Sequence, residues 1–303
     1  VRSARLPVPP GTRVRVVVLA VTAAILGAAA FLIGLLLGRP APQPTFPPEA
    51  LVVTVVNVGQ GEASWIRTPD NRFIVVGSGP PGAGRKLADS LQAAGAQRID
   101  LLILPYPYAE AVGGVPELAD SLPIVQAFEN GGPRVNSQQE AARQALFDRH
   151  VPVYIARAGQ QFALGSGGTL TILHPADKPV QRTPAAANNS VVVRLSWGKT
   201  AFLWEGGLER AGEEALLEHP ERLSADWLRV ARFGTREATS PEMLGAVAPS
   251  HIVISVGANR AGLPHPETLE RLVATGAQLY RTDQNAADLV FLSDGVQVSA
   301  SVP

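Results

Sequence analysis

The run "VVVLAVTAAILGAAAFLIGLLL" (16–37) is 22 residues long and carries no charge. At about 1.5 Å of rise per residue, a helix of this length crosses a hydrocarbon core of about 30 Å. A buried core helix this long normally has a polar break. A cleaved secretory leader has a shorter apolar region that ends in small residues, whereas here "LLLGRP" follows. The run predicts an uncleaved membrane anchor. Arg2, Arg5, Arg13 and Arg15 precede it, Arg39 follows it, and no acid occurs before Glu49. The positive-inside bias then places residues 1–15 in the cytoplasm and the rest beyond the membrane. The segment "GRPAPQPTFPP" (38–48) holds five prolines. It cannot complete helix or sheet ladders and reads as a stiff, extended linker. The expected organisation is a tail (1–15), a transmembrane helix (16–37), a linker (38–48) and a folded body (49–303). The expected location is the cell membrane, single-pass, with the body extracytoplasmic.

The body alternates short β-rich runs with amphipathic ones. "ALVVTVVNV" (50–58) and "EASWIRT" (62–68) flank "GQG" and read as a hairpin; "RFIVV" (72–76) reads as a third strand. "RKLADSLQAAG" has helical spacing and a Gly stop, "IDLLIL" (99–104) is a strand, and 115–122 a short helix. Strand 124–128 precedes helix 137–150, where Ser137 is the expected N-cap. "VPVYIA" and "TLTILH" are strands. The second half begins with a hairpin, 190–197 with 200–206. A helix (208–219) and a strand (225–234) follow. A Ser-capped helix over "SPEMLGAVA", strand "HIVISVG", helix "PETLERLVATG" and two last strands complete the chain. Hairpins mixed with strand–helix alternation predict an α/β body, two mixed sheets face to face with helices outside: an αββα sandwich.

Composition removes several functions. There is no Cys, so disulfides and thiolate metal sites are excluded. Five of the 26 bases lie in 1–48, leaving 21 against all 26 acids, a body of net charge about −5. That disfavours nonspecific nucleic-acid binding, which needs a basic surface. Gly77, Gly79 and Gly82 match G-x-G-x-x-G, but Pro80 and Pro81 remove amides a pyrophosphate would need, and no acid ends the next strand. The match reads as a tight strand-to-helix turn. No two of His150, His174, His219, His251 and His265 lie within five residues, so no local zinc pair exists. The four Trp read as core packing. "NNS" (188–190) reads as a loop whose amide side chains cap nearby backbone.

The order of segments "VVNVGQGEASWIRTPDNRFIVVGSGPPG", "RIDLLILPYPYAEAVGGVPEL", "LTILHPA", "NNSVVVRLSWGKTAFLWEGGLE", "DWLRVARFGTREATSPEML" and "GLPHPETLERL" resembles the metallo-β-lactamase-fold domain of the DNA-uptake protein ComEC and hydrolases like it. The resemblance covers about 50–300 and implies an αββα sandwich with one or two divalent metals, zinc or manganese, activating water at the sheet ends. It also locates the metal positions, and these are degenerate. Asn57 stands for the Asp that opens the first motif, and Tyr106, Tyr108, Glu110 and Ala111 for the His/Asp loop. Gly207 stands for the bridging Asp, and Arg232 with Phe233 for the final His pair. A metal of this kind needs at least three good N or O ligands. The implied reading is a membrane-anchored, non-catalytic binding or scaffold module with no metal of its own and a protein partner. The alternative is a metal-dependent hydrolase or nuclease linked to DNA uptake, with an atypical site. Its cleft residues would be Glu62, Glu110, Glu205, Asn188, Asn189 and His265. In the first reading Arg232 is expected to point into the old cleft and pair with Glu110 or Glu205, with Tyr106 and Tyr108 filling the remaining volume.

Overall fold

A computed structural model describes residues 46–133, 135–165, 167–285 and 287–301. The expected tail (1–15), the expected anchor (16–37) and residues 38–45 of the expected linker lie outside the described residues. Among the described residues, no helix is long and apolar enough to cross a membrane.

Fifteen strands are described, in two sheets. The first, of eight strands, has the order β15-β14-β1-β2-β3-β4-β5-β6. Its members are β1 (Leu51–Val55), β2 (Ala63–Arg67), β3 (Phe73–Ser78), β4 (Leu101–Leu104), β5 (Ala127–Glu129), β6 (Val153–Ile155), β14 (Leu289–Ser293) and β15 (Val298–Ser301). The second, of seven, runs β13-β12-β11-β10-β9-β8-β7. It contains β7 (Gln161–Ala163), β8 (Thr169–His174), β9 (Val192–Trp197), β10 (Thr200–Trp204), β11 (Trp227–Arg229), β12 (His251–Ile254) and β13 (Gln278–Arg281). Each sheet is an antiparallel meander that turns into a parallel run. In the first sheet β3 to β6 are parallel, and in the second β10 to β13.

Strand alternation explains the layers. On β1, Val52 packs outward with Trp65, Val75, Leu87 and Leu91. Leu51, Val53 and Val55 pack inward against Leu170, Ile172 and Val193 of the other sheet. Both faces are buried, so the strand is apolar at every position but Thr54. Trp227 and Phe291 meet across the sheets, ring centroids 5.6 Å apart. Helices α1 (Ala83–Ala93), α2 (Ala109–Val112), α3 (Val115–Ser121) and α4 (Ser137–Asp148) contribute to the outer cluster of the first sheet. A helical turn, α5 (Ala185–Asn188), precedes β9. Helices α6 (Arg210–Leu216), α7 (Pro241–Val247) and α8 (Pro266–Ala274) cover the second sheet through Leu216, Leu244 and Leu272.

Several expectations need correction. The cap of α4 is Asn136, whose side chain accepts from Gln139 N; Ser137 is already helical. Three strands, not two, follow α8, and β7 was not anticipated. The glycine motif is a turn, with φ of +71°, +76° and +90° at Gly77, Gly79 and Gly82. The amides that would face a phosphate are taken: Gly82 N and Gly84 N both donate to the Glu117 carboxylate, at 2.9 Å each.

Candidate functional site

The parallel strands β4, β10 and β11 end near one another, and the β1–β2 loop delivers Glu62 to the same place. At the centre is a fully buried ion pair. Glu62 and Arg229 side chains are both 0% exposed, with Arg229 Nη1 3.0 Å from Glu62 Oε1. Glu62 is positioned by its backbone: its N–H donates to Glu110 O (2.8 Å) and its carbonyl accepts from Gly79 N (2.8 Å). Position 77 has to be Gly here, because φ is +71° and a Cβ would overlap the Glu62 carbonyl. Arg229 ends β11. Its Nε and Nη2, and Glu62 Oε2, have no hydrogen-bond partner among the described residues. Burial pushes the Glu62 carboxyl above its ordinary value, and Glu110 adds to this; Arg229 and the adjacent Tyr106 phenol oppose it.

Tyr106 is 1% exposed. Its ring lies against Gly207, where a Cβ would come within 2.7 Å of Tyr106 Cδ1 and 3.0 Å of Ser190 Oγ. The phenol is held well above its ordinary pKa by burial and by Glu62, whose charged form it favours in turn. Tyr108 meets Tyr106 edge to face, centroids 5.9 Å apart. Ala111 is buried, and its carbonyl accepts from Ser78 Oγ.

Glu205 follows β10 and is also 0% exposed. Its Oε2 accepts from Ala231 N (2.9 Å) and Thr239 Oγ1 (2.5 Å). Burial first, then the Glu213 charge, push its carboxyl up to about 8, against the pull of Thr239, Ala231 N and Arg229. Glu213, likewise raised by burial, accepts from Ser240 N and Thr239 N.

The expectation for Arg232 fails. Its Nε is 3.3 Å from Glu209 Oε1, and its guanidinium carbon lies 5.6 Å from the Tyr108 ring centroid. No ion pair within 4.0 Å joins it to Glu110 or Glu205 among the described residues. The backbone explains this. Arg232, Phe233 and Gly234 are all left-handed, with φ of +42°, +61° and +75°. That twist sends Phe233 into the core beneath the second sheet's helices and leaves Arg232 at the rim. The cation facing the buried carboxylates is Arg229, three residues earlier. The charge of Arg229 inside the apolar run "WLRV" was the available signal, since a buried charge needs a partner.

Other candidate positions hold loops together. Asn57 Nδ2 donates to Thr282 O and Asn285 O, and its Oδ1 accepts from Gly59 N. Asn188 Oδ1 accepts from Glu209 N and Gly212 N, capping α6, and Asn189 bonds both ways with Val180. His265 caps α8 through Glu267 N. Glu110 is half-buried on α2. None of the described contacts joins Asn188, Asn189 or His265 to Glu62 or Glu205.

These residues do not fit zinc or manganese. Arg229 lies beside Glu62, where a dication would be repelled, and the Tyr106 ring fills the space in front of position 207. Among the described residues, no three His, Asp or Glu side chains form a group able to hold a metal. Glu62, Glu205, Tyr106 and Arg229 are also sealed from solvent.

No family model matches the chain. It is 24% identical over 252 residues to ComE operon protein 3 of Bacillus subtilis, covering 77% of this chain and 32% of that protein. It is 29% identical over 246 residues to competence protein ComA of Neisseria gonorrhoeae, covering 80% and 32%. The chain thus spans about a third of the length of these relatives. Among solved structures, the metallo-β-lactamase fold protein YhfI of Bacillus subtilis aligns at TM-score 0.52 and 12% identity, over 80% of this chain and all of YhfI. Zn(2+)-bound PqqB of Methylobacterium extorquens aligns at 0.51 and 12%, over 76% and 97%. The chain is ComEC-like, similar to competence proteins in sequence, and its body has the metallo-β-lactamase fold.

Proposed function

We propose that the chain is a membrane-anchored, ComEC-like module in which the metallo-β-lactamase fold persists without metal chemistry, as a binding or scaffold body on the outer face of the membrane. The observation that carries this reading is the Tyr106 ring packed against Gly207. One ligand position has been filled by an aromatic ring that leaves no room for a carboxylate at another. The buried Glu62–Arg229 pair supports it, because an internal cation balances the carboxylate that a metal would otherwise neutralise. The apolar run 16–37 and its arginine flank support the anchor and its orientation.

The test is metal analysis of the purified full chain in lipid nanodiscs after incubation with zinc and with manganese, alongside a phosphodiesterase assay. Substoichiometric metal and no turnover are expected. One tightly held metal per chain would overturn the reading and revive the hydrolase. Protease treatment of intact cells should remove the body; protection of residues 49–303 would overturn the orientation.

A further inference from the structure

The chain leaving β5, β6 and β8 encloses a cavity of about 280 Å³. Asn130 comes from the exit of β5, Arg157 from that of β6, Pro175 from that of β8, and Ala185 and Ala186 from α5. Most of the remaining wall is proline, alanine, glycine and valine. The carboxyl ends of parallel strands, such as β5 and β6, are where α/β proteins form small-molecule pockets. The walls are tied to one another. Asn130 Nδ2 donates to Ala186 O (3.2 Å), and Ala158 N donates to Pro175 O (2.8 Å). Asn189 Nδ2 donates to Val180 O and its Oδ1 accepts from Val180 N, both at 2.8 Å. A pocket held in shape this way spends little affinity on ordering itself around a ligand.

Arg157 is the one charged residue of this wall among the described residues. Its Nη1 donates to Ala156 O (2.7 Å) and to Asn130 O (3.3 Å), which fixes the guanidinium beside another wall residue. Its Nε and Nη2 have no partner among the described residues, and no carboxylate there pairs with it. The same edge of the guanidinium grips a carboxylate elsewhere in the chain. Arg143 presents Nε and Nη2 to Glu129 at 2.9 and 2.7 Å, and Arg281 presents them to Asp283 at 3.0 and 2.7 Å. At Arg157 that edge is open. Apolar walls around one oriented cation select an anion with an apolar body.

We infer that this cavity binds a small monocarboxylate, its carboxylate held by Nε and Nη2 of Arg157 and its apolar body by the proline, alanine and valine walls. The cavity equals about nine water-sized groups at about 30 Å³ each, which suits a short-chain acid and excludes a long acyl chain. A carboxylate matches a single guanidinium edge; a phosphate dianion would call for a second cation. The site deepens the binding role proposed above, and rests on it, by naming a ligand class. It shares no residue with the buried Glu62–Arg229 pair.

The probe is heptanoate, compared with heptanamide, which matches it in size and lacks the charge. Isothermal titration calorimetry on the full chain in nanodiscs reads both, with empty discs titrated as the blank. Heptanoate should bind at least about tenfold more tightly than heptanamide, the factor expected for one charge-assisted pair. Arg157→Gln should remove that difference. Ala185→Phe, at an exposed residue of the wall, should fill the cavity and abolish binding of acid and amide alike. Equal affinity for acid and amide in the unaltered chain would overturn the proposal, as would heat no greater than that of empty discs at millimolar heptanoate. Displacement of heptanoate by an equal concentration of inorganic phosphate would also overturn it. The metal content of the same sample separates this site from the reading beneath it. A metal-free chain that ignores heptanoate refutes the site and leaves the silent centre standing; a metal-loaded chain that binds heptanoate keeps the site and refutes the silence.

Discussion

Replacing Arg229 with methionine keeps most of the side-chain volume but removes the charge that faces Glu62. Both partners are 0% exposed, so the stranded carboxylate has no route to water. Breaking one side of a fully buried pair costs about 3–5 kcal/mol. At about 2–4 °C per kcal/mol for a domain of this size, the melting temperature should fall by roughly 10 °C. The loss should depend on pH. Arg229 is the main influence lowering the Glu62 pKa; without it the folded-state value rises further above the ordinary 4.5. A carboxyl raised on folding contributes fully below its unfolded value and loses that contribution as pH rises through its folded value, at most about 1.4 kcal/mol per unit. The gap to the unaltered chain should therefore be small near pH 5 and widest near pH 8. Restoring neutrality with Glu62→Gln in the same chain should recover most of the loss, since an uncharged, similarly sized replacement of a buried pair is often neutral. The assay is urea unfolding of the full chain in nanodiscs, followed by fluorescence of the buried Trp204 and Trp227. An Arg229→Met chain as stable as the original, or a double variant no better than the single one, would refute the reasoning.

Arg232→Ala should cost clearly less than Arg229→Met, because the Arg232–Glu209 pair keeps about a quarter of each side chain in water while the Arg229–Glu62 pair keeps none; an equal loss in the same unfolding assay would refute this ranking. Tyr106→Phe should cost about 1 kcal/mol, since it removes the phenol that favours the charged form of the buried Glu62 carboxyl, and an unchanged melting temperature would show that the phenol is not engaged. Between its ordinary value of 4.5 and about 8, Glu205 should make the chain progressively less stable as pH rises. Glu205→Gln should flatten that slope in melting curves taken from pH 5 to 8, and an unchanged slope would exclude Glu205 as its source.

The layers were legible wherever burial on both faces made a strand almost wholly apolar, as in "LVVTV" and "LLIL". So were the structural amides of "NNS" and the turn at Gly77, Gly79 and Gly82, because proline and glycine restrict backbone directly. The strand "QFA" was missed because it is a short, largely exposed edge strand with little apolar alternation to mark it. The cap of α4 was displaced by one residue because Asn136 and Ser137 are both good caps, and only the accepted Gln139 amide decides between them. The Arg232 error came from backbone. Two consecutive non-Gly residues in the left-handed region leave no trace in residue type, and only Gly234 hints at the twist. Aligning motif positions placed an arginine in the cleft, and the chain supplies one, but from the strand before the loop.

The pairing of β1 with β14 joins Leu51 to Ser293 and Val55 to Leu289, the first strand of the body to nearly its last. During synthesis at about 5–20 residues per second, β1 waits on the order of ten to fifty seconds for this neighbour. Until then the β1–β2–β3 meander has a bare edge of five apolar-rich residues, open to pairing with any other strand. Contacts this distant in sequence also slow folding, because the chain must close a long loop before the pairing rewards it.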